Sequence, residues 1–130
     1  MKRLDHVAVA VKDLAEAKAF YEKLGLEAAG CEEVPEQKVR TAFFKGGGTS
    51  IELLEPTSPD SPVARFLDKR GPGLHHIAFA VEDLPAEMAR LKAAGLRFTE
   101  PEPGQGSRGA KVAFLHPACS GGVLVELCQK

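Results

Sequence analysis

Neither sign of charge dominates this chain: 17 basic side chains stand against 18 acidic ones. No run of Lys and Arg breaks that balance, so the electrostatic footprint that phosphate backbones require is missing and no nucleic-acid partner is expected. Long apolar runs are lacking too; nothing approaches the roughly 20 residues that span a bilayer, and no membrane partner is expected. Met1, Lys2 and Arg3 carry the charge of a signal-peptide start, but Asp5 and His6 arrive before an apolar region can form. Cysteine is scarce. Cys31, Cys119 and Cys128 are odd in number and lack CxxC spacing, which argues against a disulfide framework and against a cysteine zinc site, and fits a reducing cytoplasm.

What is present is enough hydrophobic residue, 44% of 130, for one compact domain with a real core. That domain is built from a repeat. A shift of 70 positions lays Leu4 to Leu14 on Leu74 to Leu84 with most positions identical or similar, and Gly25-Leu26 falls on Gly95-Leu96. Farther on, Ala42-Phe43 matches Ala113-Phe114, and Ile51-Glu52-Leu53 matches Val125-Glu126-Leu127 after a small insertion. A long period present only twice indicates two copies closing on one another rather than a solenoid, which needs three or more repeats.

Each copy opens with strict alternation, the pattern of a half-buried strand, from about Leu4 to Val11 in the first. Asp13 then offers an N-cap with Glu16 three residues on, Leu14, Ala17, Tyr21 and Leu24 recur at helical spacing, and Gly25 supplies the stop. Strands follow near Glu27 to Val34, Val39 to Lys45 and Thr49 to Leu54, with turns at Pro35-Glu36 and Gly46-Gly47-Gly48. The copy therefore reads βαβββ. Ser61 to Lys69 predicts a short linking helix closed by Gly71-Pro72-Gly73, after which the second copy is expected to repeat the same order. The fold class is α+β, with a first module of about 1–56, a linker helix of about 61–70 and a second module of about 73–130.

On the first strand His6 shares a face with Ala8 and Ala10, while Val7, Val9 and Val11 take the other. The second copy sets His76 with Ala78 and Ala80 in the same way. The bulky faces are expected to pack on helices, and the small faces to leave room. Glu52 and Glu126 hold matching places in the last strand of each copy, between apolar neighbours. A buried carboxylate without compensation costs several kcal/mol, so such groups are normally paired or bound to metal. Taken singly, each of the four is better explained as structural. Recurring together as a duplicated set, His6, Glu52, His76 and Glu126 point to a divalent metal site, and mixed imidazole and carboxylate ligands suit Co, Mn, Ni, Zn or Fe.

At this point the chain resembles the vicinal oxygen chelate (glyoxalase-like) superfamily, whose members fuse two βαβββ modules into a U-shaped mixed sheet around a divalent metal. Residues 61–67, the stretch from Gly73 to Phe79, Phe114-Leu115-His116-Pro117 and Gly121 to Leu127 resemble the methylmalonyl-CoA epimerase family within it. The resemblance implies metal ligation by His6, Glu52, His76 and Glu126, with Glu126 also serving as a base that abstracts the C2 proton of an acyl-CoA substrate. It further implies one divalent ion, Co²⁺ being favoured, and a homodimer. Thr41 stands where some relatives carry a glutamate proposed as a second acid/base group. Glyoxalase I and a metal-free drug-binding module share this fold and are the competing readings. The segment from Gly104 to Gly109 is expected to form a flexible lip at the cavity mouth, His75 and His116 to be structural, and Cys128 to be a small buried thiol.

Overall fold

The computed structural model describes residues 2–130; Met1 lies outside the described residues. Strand β1 (Arg3–Ala10) leads into helix α1 (Leu14–Lys23), whose first turn is closed by the Asp13 carboxylate accepting the Glu16 N–H. Three strands follow, β2 (Glu27–Val34), β3 (Val39–Gly46) and β4 (Thr49–Pro56), and then α2 (Pro62–Arg70), capped by the Ser61 hydroxyl accepting from the Val63 N–H. The second half opens with β5 (Gly73–Ala80) and α3 (Leu84–Ala93), whose Asp83 cap repeats that of Asp13.

The βαβββ order repeats in the second half, with its second strand much shortened. Only the two-residue strand β6 (Gly104–Gln105) and one isolated bridge, Phe98 to Leu115, stand where the second copy of β2 was expected. The sequence between them contains Pro101 and Pro103, which donate no hydrogen bond and cannot continue a ladder. Full strands resume with β7 (Lys111–Leu115) and β8 (Val125–Gln129).

All eight strands join one mixed sheet in the order β2-β3-β4-β1-β5-β8-β7-β6. Its centre is the antiparallel pair β1 and β5, each flanked by a parallel neighbour, β4 and β8. The sheet curls into a half-barrel, and the curl brings residues 107 and 108 of the far end onto the first half: Ser107 reaches Glu52, and the Arg108 N–H donates to Glu32. Gly106 permits the close approach that this turn needs, since a Cβ there would stand 2.5 Å from a Val112 methyl.

Helices α1 and α3 cover the outer face, where Leu14 and Tyr21 meet Phe44 and Leu53, and Leu84 and Met88 meet Ala113 and Leu127. Helix α2 lies on the opposite face. Val63 and the partly buried Phe66 and Leu67 pack over Ala8, Ala10 and Leu54, the buried Val63 and Leu54 each contributing about 1.5–3 kcal/mol. The room expected beside the small face of β1 is thus filled at its Ala10 end. Among the described residues no helix is long and apolar enough to cross a membrane.

Candidate metal centre and acid/base site

The sheet register assembles the four sequence-derived residues. Across β4, β1 and β5 it aligns Glu52, Ala8 and His76; across β1, β5 and β8 it aligns His6, Ala78 and Glu126. Residues in register share a face, so the two rows run side by side and related positions lie diagonally opposed. Alanine is the middle member of each row, and its small side chain lets the imidazoles converge. The His6 and His76 rings meet edge to face, 5.5 Å apart. One strand outward, Phe43 pairs with Glu52 and Phe114 with Glu126, closing the ends of the rows with aromatic walls.

All four side chains are buried. Glu126 sits between the histidines, with Oε1 3.5 Å from His6 Nε2 and Oε2 3.5 Å from His76 Nε2; Glu52 Oε2 is 3.7 Å from His6 Nε2. These separations are too long for good hydrogen bonds. Both Nε2 atoms are in fact buried without a hydrogen-bond partner. A buried polar atom costs free energy unless something satisfies it, and two such atoms converging on carboxylates make a donor set suited to a divalent ion. His6, His76 and Glu126 bring ligand atoms within 4.8 Å of one another, as do Asp5, His6 and Cys128, and Glu52 approaches from the His6 side.

The electrostatics of the two histidines differ. Burial pulls His6 down, but its bond to Asp5 and the nearby Glu52 and Glu126 carboxylates outweigh this and hold it above the ordinary imidazole value. His76, fully enclosed and near two other imidazoles, is pushed well below that value, first by burial and then by His75 and His6. Burial raises both glutamates. Glu126 is pushed up to about 8 despite the opposing pull of His6; Glu52 is raised as well, with His6, the Ser107 hydroxyl at 3.1 Å and Arg108 acting against burial. A carboxylate raised this far can take up a proton near neutrality, as a general base should.

Two polar residues here had escaped sequence reasoning. Asp5 is 3% exposed and its Oδ2 lies 2.8 Å from His6 Nδ1; strand alternation assigns it to the opposite face. Ser107 bonds Glu52 from the segment expected to be a flexible lip, which instead forms β6 and a 3₁₀ turn held against the first half. Arg108 in that turn has a left-handed backbone, φ 55°, and its guanidinium lies 4.2 Å from the centre of the Phe43 ring. No sequence motif announces either contact, because each partner is more than 50 positions away or on a strand irregularity. The other expectations have plain outcomes. His75 bonds His76 and meets Phe66 edge to face, His116 caps the turn at Ala118, and Cys128 is buried, with burial pushing its thiol up to about 12. Thr41 is fully buried and donates its hydroxyl to the Glu32 carbonyl.

Where the second half has only the short β6 at its edge, space opens. A groove of about 430 Å³ runs between Glu36-Gln37 and residues 99–105, and through Thr99, Glu100 and Phe114 it adjoins a cavity of about 390 Å³ bordered by His75, His76 and Val63.

Comparison with known proteins adds names to this geometry. Residues 5–114 match the model of the glyoxalase/bleomycin resistance protein/dioxygenase superfamily. The chain is 45% identical over 130 residues to the ethylmalonyl-CoA/methylmalonyl-CoA epimerase of Cereibacter sphaeroides, covering 98% of this chain and 97% of that one. It is 44% identical over 129 residues to the mitochondrial methylmalonyl-CoA epimerase of Bos taurus, covering 98% and 74%. Among solved structures, a methylmalonyl-CoA epimerase in complex with methylmalonyl-CoA and NH4+ superposes with a TM-score of 0.95 at 40% identity, over 100% of this chain and 95% of that one.

Proposed function

The chain belongs to the glyoxalase/bleomycin resistance protein/dioxygenase superfamily, and from that premise we propose that it is an isomerase that interconverts the (R) and (S) epimers of methylmalonyl-CoA by proton abstraction at C2. The observation that carries this is the buried Glu126 carboxylate, set 3.5 Å from each of two partnerless imidazole nitrogens, in a chain 45% identical along its length to a named epimerase.

The C2 proton lies between a thioester carbonyl and a carboxylate and is weakly acidic. Removing it requires a base close to its own pKa transition at working pH and a dry setting in which developing charge is compensated. Glu126 supplies the base. His6, His76, Glu126 and Glu52 would hold one divalent ion, with Co²⁺ the first to test. When bound, the ion acts as a Lewis acid toward the substrate oxygens and contributes several kcal/mol of charge stabilisation. Phe43 and Phe114 bound the rows and limit access of water. The groove beside residues 99–105 and the adjoining cavity accommodate the acyl-CoA arm. Thr41 donates its hydroxyl to the Glu32 carbonyl and has no titratable group, so a water or another residue returns the proton to C2 on the opposite face.

In this reading residues 1–130 form a single domain, with modules of about 1–56 and 73–130 joined by the helix at about 61–70. The homodimer rests on resemblance to the epimerases, and the cytoplasmic location on the odd, unpaired cysteines.

The test is deuterium exchange at C2 of methylmalonyl-CoA in heavy water, with protein stripped of metal and then given Co²⁺. Metal-dependent exchange accompanied by epimerisation, and lost in Glu126→Gln, supports the reading. Absence of exchange by protein that demonstrably binds the ion would overturn it and direct the next assay to glyoxalase I chemistry.

A further inference from the structure

The pairing of β1 with β5 is interrupted twice, and the interruptions are related by the repeat. Between Leu4 and His6 the partner advances by one residue instead of two, leaving Asp5 unpaired; between Ala8 and Val9 the partner skips from His76 to Leu74, leaving His75 unpaired. Asp5 and His75 are equivalent positions in the two copies. A bulge inserts one unpaired residue, bends the strand and re-aims its side chain. In an unbroken strand both residues would point away from the histidine that follows them. Instead each lies against that neighbour's ring: Asp5 Oδ2 is 2.8 Å from His6 Nδ1, and His75 Nδ1 is 2.8 Å from His76 Nδ1.

We infer that this duplicated bulge is the device that orients the site histidines, with Asp5 and His75 as positioning residues that make the two ligands chemically unequal. The inference rests on the metal-site reading given above. A ring with Nδ1–H donated to a fixed acceptor presents a lone pair at Nε2, the atom that in both histidines is buried and unpartnered. For His6 the acceptor is a carboxylate whose other oxygen, Oδ1, is held by Lys130 Nζ at 2.8 Å and by Arg3 Nη2 at 3.3 Å. This anionic partner strengthens the ring as a donor toward a cation, as carboxylates behind metal-binding histidines generally do. For His76 the partner is the imidazole of His75, a ring that carries no negative charge and packs edge-on against Phe66. It fixes orientation and adds no charge. The first half therefore supplies the strong imidazole donor and the second half the weak one, although their sequences at the ligand itself are alike.

The experiment is Co²⁺ titration by calorimetry with metal-free protein, together with proton NMR of the imidazole N–H resonances in the same metal-free samples. Asp5→Ala is expected to weaken Co²⁺ binding by about 10–100-fold and to abolish the downfield His6 N–H resonance. Asp5→Asn keeps an acceptor without the charge, so it is expected to retain that resonance and to lose less affinity; it also serves where Asp5→Ala does not fold. His75→Ala is expected to cost less than Asp5→Ala. Binding within twofold of wild type in Asp5→Ala or Asp5→Asn, with only thermal stability reduced, would make Asp5 a structural ion-pair member and overturn the inference. A greater loss in His75→Ala than in Asp5→Ala would overturn the inequality. If the wild type binds no divalent ion, the proposed metal site fails. The orientation claim is then decided by the resonances alone, and an unchanged His6 signal in Asp5→Ala would sink it.

Discussion

Residues 27–34 form a complete edge strand in the first half of the sheet, whereas the corresponding stretch of the second half is interrupted by Pro101 and Pro103 and shrinks to a bridge and two paired residues. The remaining elements match closely, down to the aspartate caps and the alanine between each histidine and glutamate. The difference is thus concentrated where the two halves do different work. The complete half provides a continuous wall, and the interrupted half provides the groove that leads toward His76. The same division reappears in the site, where an aspartate stands behind His6 and a histidine behind His76.

The strongest way to break the symmetry is at the carboxylates. Glu126→Gln should reduce C2 exchange by roughly 10²–10⁴-fold, the usual worth of a positioned base, while Glu52→Gln should reduce it less, because Glu52 is engaged by Ser107. Rates of deuterium incorporation measured for both variants decide the order; equal losses would mean the two rows act alike.

Core substitutions should instead treat the halves alike. Leu84→Ala and Leu14→Ala remove equivalent buried side chains that open α3 and α1, and each should destabilise by about 2–5 kcal/mol in urea titrations. The larger loss is expected for Leu84, which is fully buried.

Protonation offers a third contrast. In metal-free protein Glu126 has its pKa raised to about 8 by burial, against 4.5 for the ordinary group. Between those values the folded state binds more protons than the unfolded state, so this residue's contribution to stability falls as pH rises. Glu126→Gln should become progressively more stable relative to wild type from pH 5 to about pH 8, by up to a few kcal/mol. Thermal unfolding across that range, without metal, measures the difference; a gap that does not widen would show that the carboxylate is not held protonated.

The smallest effect concerns the caps. Asp13→Ala and Asp83→Ala should each cost about 1 kcal/mol, and similarly, because both carboxylates accept the same N–H three residues on. Denaturant midpoints of the pair are the sharpest check on how far the duplication still holds in local energetics.

Much of the fold was legible because its signals are local. The alternation of Val7, Val9 and Val11 against His6, Ala8 and Ala10 specifies a strand and its two faces, and Asp13, Glu16 and Gly25 bracket a helix. The second copy of β2 is present at the matching sheet edge, but Pro101 and Pro103 confine it to the two residues of β6, a length that the repeat alone did not show. Ser107 and Arg108 were legible as a glycine-rich loop but not as neighbours of Glu52 and Phe43, since that proximity arises only when the sheet curls.

By itself the sequence determined the duplication, the element types and the membership of His6, Glu52, His76 and Glu126 in one related set. These follow from periodicity and from the cost of burying charge, both properties of residues and their spacing. Tertiary structure alone decided that Asp5 and His75 turn toward the histidines they precede, and that the second half opens into a groove. A bulge is a mismatch between two strands, and a groove opens where an edge strand is cut short beside its neighbours, so neither is a property that one segment of chain carries alone.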